Sequence, residues 1–211
     1  MQKLITSIPG YRVYEYLLVI NPHEDLRNQI QAIKKEFAST YKAPLAFYTR
    51  PHITLVNFLS YEMTQERIFN RIGTIAMGLT PFKIELSNFG SFPSHTIYIN
   101  VTTKLPIQEV VRELKSAQQL MTLNKDNKPH FIEESHLTIC RQLKPWQYEQ
   151  GWLEYSHRHF SARFIADSMV LLKRPAGEKG YQAIMRFEFQ NLPVTTKQGS
   201  LFGSLSPAGG T

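Results

Sequence analysis

The chain has 211 residues, 42% of them hydrophobic and 12% aromatic, enough for one large packed domain or two small lobes. Lys and Arg outnumber Asp and Glu by 24 to 17, so the surface should draw phosphates, nucleic acid or acidic metabolites, without choosing among them. A single cysteine, Cys140, excludes an internal disulfide and a multi-cysteine zinc cage, and fits a reducing compartment.

In chain order, Val13 to Ile20 reads as a strand, too short and too interrupted by Glu15 for a membrane span or signal core; a soluble, cytoplasmic protein is expected. Leu26, Ile30, Ile33 and Phe37 recur at helical spacing after Asn21-Pro22, a pair suited to an N-cap and first turn. A strand over Ile53 to Phe58 follows, then a helix that Thr64 precedes, with Ile68, Phe69, Ile72 and Ile75 on its apolar face. Strands are predicted at Phe82 to Phe89 and Thr96 to Val101. After Pro106, the stripe Ile107, Val110, Val111, Leu114, Ala117 and Met121 predicts one helix. Leu137 to Cys140 reads as a strand, Pro145 opens a helix through Tyr148, Trp152 and Tyr155, and strands follow at Ser168 to Lys173 and Gln182 to Phe189. All four helices should lie outside sheets, in an α/β or α+β arrangement. Residues 191–211 turn to Pro, Thr, Gly and Ser and read as an irregular tail, with Leu201-Phe202 as an apolar anchor that could dock.

The spacing looks duplicated. Pro22 to His52 and Pro106 to His136 both span 30 residues, and Val13 and Ile97 each lie 39 residues before the histidine. Each half would then be strand, helix, loop, histidine-bearing strand, helix, strand.

Around those histidines stand His52-Ile53-Thr54-Leu55 and His136-Leu137-Thr138-Ile139. Strand side chains alternate, so His52 and Thr54 share one face while Ile53 and Leu55 share the other, and the same holds for His136 with Thr138. A single H-x-T on a strand is common and is usually structural; two copies at the same offset in a repeat point to chemistry. In-line displacement at phosphorus needs a base on the attacking oxygen and an acid on the leaving oxygen, and imidazole fills either role near neutral pH. The two hydroxyls can donate to the non-bridging oxygens, where charge accumulates.

The paired motifs, with the strand-helix order over residues 10–190, resemble the 2H phosphoesterase superfamily, which includes 2′-5′ RNA ligase-like proteins and cyclic phosphodiesterases. The resemblance implies an α+β, bilobal fold in which two pseudo-symmetric repeats present antiparallel-rich sheets to a central groove. It also implies metal-free chemistry without a cofactor and His52, Thr54, His136 and Thr138 as the site. The expected organisation is one domain over 1–190, with lobes of 1–90 and 91–190 that can exchange strands. The expected activity is hydrolysis of, or ligation through, 2′,3′-cyclic phosphates of RNA ends or small nucleotides by a monomer. The alternative is a module that binds nucleotide or RNA in the same groove without turning it over.

Secondary candidates are Arg50 and Arg141, which flank the motifs and could contact phosphate, Lys173-Arg174 as a further anion contact, and Tyr181, which could stack a base at the groove's edge. Phe187 reads as a packed strand residue. His130, His157 and His159 lack a recognisable ligand set and read as surface histidines. Glu133-Glu134, just before the second motif, could act on His136 or simply face water.

Overall fold

The computed structural model describes residues 11–193. These form β1 (Val13–Ile20), α1 (Glu24–Thr40), α2 (Pro44–Tyr48), β2 (Ile53–Tyr61), α3 (Gln65–Gly78), β3 (Phe82–Phe92), β4 (Thr96–Val101), α4 (Leu105–Lys115), α5 (Gln118–Met121), β5 (His130–Phe131), β6 (His136–Cys140), α6 (Pro145–Tyr155), β7 (Ser161–Ala166), β8 (Ser168–Pro175) and β9 (Gln182–Glu188). Leu201-Phe202 lies outside the described residues.

The strands form one antiparallel sheet in the order β7-β3-β4-β6-β2-β1-β8-β9, with the short β5 also paired to β2. The fold is α+β, with nine strands and six α-helices among the described residues. The sheet has two halves. β1 and β2 are joined by β8 and β9 from the end of the chain, while β3 crosses over to stand between β4 and β7. The halves meet between β2 and β6 at one residue pair, Ile53 with Leu137.

Helices reinforce this interlock. Helix α1 packs beneath β6 and α6 beneath β4, whereas α3 lies on β9 and α4 on β2. One continuous core results, built from Leu18, Ile20, Leu55 and Phe58 on strands and Ile30, Phe37, Ile68, Ile72 and Leu114 on helices. Burying each such side chain contributes on the order of 1.5–3 kcal/mol before the entropy of ordering it.

Three expectations from periodicity are corrected. Helix α1 is capped by His23, whose Nδ1 accepts from the Leu26 N–H at 3.3 Å, so Asn21-Pro22 precedes the cap. The stripe from Ile107 to Met121 is not one helix. It breaks after Lys115, where the Ser116 N–H turns to the Glu113 carbonyl and its hydroxyl donates to the same oxygen at 2.6 Å, before the short α5 resumes. The matching 39-residue intervals do not mark equivalent residues. Ile20 pairs with Ile53 but Ile99 with Leu137, so Val13 and Ile97 sit at different heights on their strands. The intervals agree because β1 is the longer strand and the second connection the longer loop. The order of elements recurs; the register of the first strands does not.

Candidate functional site

Ile53 and Leu137 are directly opposite and fully buried. One residue to either side, the antiparallel register sets His52 against Thr138 and Thr54 against His136, all four on the face away from the core. The β4 register extends these rows, with Tyr98 beside Thr138 and Asn100 beside His136. Both motifs therefore open onto the same face of the sheet, where its two halves join, and all four side chains are partly exposed.

A shared backbone device ends each motif. β1 pairs Leu18 with Val56 and Val19 with Thr54, which leaves Leu55 as an extra residue; β4 pairs Ile97 with Cys140 and Tyr98 with Thr138, which leaves Ile139 extra. Each is a β-bulge immediately after the threonine. It explains why strict alternation stops there, with Leu55 and Val56 both buried, and likewise Ile139 and Cys140. The carbonyls freed by the bulges are taken up differently. Leu55 O accepts the Ile132 N–H at 2.9 Å. Thr138 O and Ile139 O instead accept from the buried ammonium of Lys34, at 2.9 and 3.0 Å.

The imidazoles are held alike. His52 Nδ1 lies 2.8 Å from the Arg50 carbonyl and His136 Nδ1 lies 3.0 Å from the Glu134 carbonyl. A carbonyl oxygen only accepts, so Nδ1 carries the proton in both rings and Nε2 is left to face a reactant. The surroundings differ. Burial pushes the pKa of His52 down to about 4; the bond to the Arg50 carbonyl opposes this, and the positive charges of Lys34, Arg141 and His136 add to it. His52 is neutral at pH 7. His136 sits between aromatic rings, with Phe92 edge-on at 5.0 Å and Tyr98 tilted at 5.0 Å, which fixes its ring plane.

Gly90 permits this wall. A Cβ there would fall 2.5 Å from Asn100 Oδ1 and 2.6 Å from Tyr98 Cε2, so only glycine lets both side chains lie against β3.

The remaining candidates divide. The positive charge of Arg141 acts on His52, Lys34, Cys140 and Tyr181. Arg50 contributes its carbonyl to His52, while its side chain is exposed. The Tyr181 hydroxyl donates to Glu15 at 2.7 Å, and the Arg174 guanidinium covers its ring at 4.4 Å. Lys173 is bound to Glu62 and Gln65, and Arg174 to Glu15, so both cations are already paired with protein acceptors. Phe187 packs edge-on against Phe69 in the core. Glu133 pairs with Lys115 at 3.1 Å, and Glu134 serves through its backbone. His157 bonds back to Leu153 O, and His130 stands opposite Asn57 on β5. Among the described residues no group of three or more His, Cys, Asp or Glu side chains converges as a metal site. None of the helices there is long and apolar enough to cross a membrane.

Sequence reasoning missed Lys34, Tyr98, Asn100 and Gly90. A signal existed for three of these four residues. Lys34 falls on the stripe Leu26, Ile30, Phe37, where a lysine is out of place, and Tyr98 and Asn100 alternate with Ile97, Ile99 and Val101.

The family model of the 2′-5′ RNA ligase superfamily matches residues 22–178. No curated protein matches the chain. Among solved structures, E. coli LigT complexed with 3'-AMP is similar at a TM-score of 0.60 and 12% identity, covering 85% of this chain and 99% of that one. A crystal structure described as a phosphoesterase is similar at a TM-score of 0.58 and 12% identity, covering 85% and 98%. A Thermus thermophilus protein, TT0787, is similar at 0.54 and 13% identity, covering 83% and 98%. At these identities the likeness is one of fold.

Proposed function

This chain belongs to the 2′-5′ RNA ligase superfamily, the 2H phosphoesterases, and from that premise we propose that it is a metal-independent cyclic phosphodiesterase with His52, Thr54, His136 and Thr138 as its catalytic residues. The carrying observation is the register around Ile53 and Leu137, which puts two equally pinned imidazoles and two hydroxyls on one face of the sheet. The substrate is a 2′,3′-cyclic phosphate at an RNA end or on a small nucleotide. E. coli LigT, whose fold this chain shares, has been crystallised with 3'-AMP, NADP+, phosphate and ATP, which supports a nucleotide-phosphate site in this fold.

Neutral His52 starts as the base. Its Nε2 takes a proton from water as the water oxygen bonds to phosphorus, while protonated His136 gives its Nε2 proton to the departing ribose oxygen as the P–O bond breaks. Thr54 and Thr138 donate to the non-bridging oxygens, and Arg141 balances their charge. With an RNA 5′-hydroxyl in place of the attacking water, the same displacement forms a phosphodiester as the ribose P–O bond breaks, which is ligation. We take residues 1–190 as one domain that acts as a monomer in the cytoplasm; the buried free thiol of Cys140 is consistent with that compartment.

The test is incubation with a nucleoside 2′,3′-cyclic phosphate, and with an oligoribonucleotide bearing the same end, in excess EDTA. The expected result is a 2′- or 3′-phosphomonoester product with a bell-shaped pH profile. Tight binding of both compounds with no product would instead favour the binding module.

A further inference from the structure

We propose that Lys34 is a positioning residue of this site, whose buried ammonium locks the bulge at Ile139 and sets a fixed positive charge behind the imidazole of His52. The proposal rests on the phosphoesterase reading above for its consequences on rate, but not for its geometry.

Lys34 lies on the core face of α1 and is 1% exposed. Burying an ammonium is costly unless every donor finds an acceptor. All three do, at Thr49 Oγ1 (2.9 Å), Thr138 O (2.9 Å) and Ile139 O (3.0 Å). A methionine or leucine would fill this position in a helix without that cost, so the lysine is explained by what it holds. In a regular strand, successive carbonyls point to opposite sides, and one donor group cannot serve both. It can do so here because the bulge at Ile139 turns two carbonyls toward α1.

The three bonds tie the two motifs together. Through Thr138 O and Ile139 O the ammonium fixes the backbone that aims the Thr138 hydroxyl and leads into Arg141. Through Thr49 it anchors the residue next to Arg50, whose carbonyl orients His52. Cys140 and Arg141 act electrostatically on the ammonium, and Lys34, Arg141 and His136 on His52. Burial lowers the pKa of Lys34 to about 8, with Arg141 adding to the effect and Cys140 opposing it, so the lysine is charged at neutral pH.

The test compares wild type, K34M and K34R by NMR titration of the imidazoles, assigned with H52N and H136N, alongside kcat and KM on a cyclic phosphate and thermal unfolding. In K34M the midpoint of His52 should rise by roughly half a pH unit or more, and kcat should fall about tenfold with KM changed less than about threefold. K34R keeps the charge and should keep the low midpoint and recover part of kcat. A folded K34M with wild-type His52 titration and wild-type kcat overturns the proposal, as does K34R behaving like K34M. If K34M does not fold, T49V decides: a kcat lowered about threefold at unchanged Tm supports the linkage, and wild-type kcat overturns it. Should the wild type turn over no cyclic phosphate, the phosphoesterase reading fails while the titrations still decide the hold of Lys34 on His52.

Discussion

The strands carrying His52 and His136 share a sequence pattern, a bulge one residue after the threonine, and an imidazole pinned through Nδ1 to the carbonyl two residues back. They differ in what supports them. The first bulge is closed by a backbone amide from the segment after β5; the second by a charged side chain reaching across from α1. His52 is partly buried among positive groups, whereas His136 is framed by Phe92 and Tyr98. A duplicated backbone device thus gains unequal chemistry from its neighbours. The geometry of the pair is symmetric, and its surroundings are not.

The harshest challenge to this comparison removes one imidazole at a time. His52→Ala and His136→Ala should each lower kcat by about 10² to 10⁴, since a displacement that needs both an acid and a base fails without either. Full steady-state activity in either variant sinks the pairing. The hydroxyls come next: Thr54→Val and Thr138→Val should each cost about 10² in kcat, the scale for one transition-state donor. Loss confined to KM would mean that they bind the ground state and transition state alike.

The arginines sharpen the contrast between flanks. Arg141→Ala should raise KM for a cyclic phosphate about tenfold and Arg50→Ala less than about twofold, because only the charge of the former acts on His52. Equal effects would put both guanidinia on the substrate.

The smallest effect is on stability. The native pKa of His52, about 4, lies below that of an unfolded histidine near 6.5. The unfolded chain therefore binds the proton more readily. The contribution of neutral His52 is complete above about pH 6.5 and is lost as pH falls toward 4. His52→Asn should flatten the decline of Tm across that window; an unaltered slope would mean that other groups drive it.

Much of the fold was legible in the sequence because apolar periodicity is a local property. β1, β4 and α6 occupy the residues that alternation and helical spacing assign to them. The strand β7 escaped because it is an edge, with the exposed Ile165 breaking the alternation in which Ser161 and Arg163 face outward. The short α2 escaped because five residues hold too little period to read. At the site, H-x-T alternation placed His and Thr on one face, and the structure puts both pairs on the same side of the sheet. The bulges were not legible, although the consecutive buried pairs Leu55-Val56 and Ile139-Cys140 are their trace, because a bulge is defined by the partner strand. What Lys34 binds was hidden for the same reason. Its acceptors on β6 lie more than one hundred residues away in sequence.

The placement of β8 beside β1 bears on how the polypeptide is made. Glu15 pairs with Arg174, so the first half of the sheet stays incomplete until nearly the whole described chain has left the ribosome. The N-terminal strands must wait, with one edge unsatisfied, for a partner that lies 159 residues later at the Glu15–Arg174 pair. Folding during translation is therefore expected to stall short of a complete sheet, and a truncated message ending before Ser168 should yield aggregation rather than a folded half.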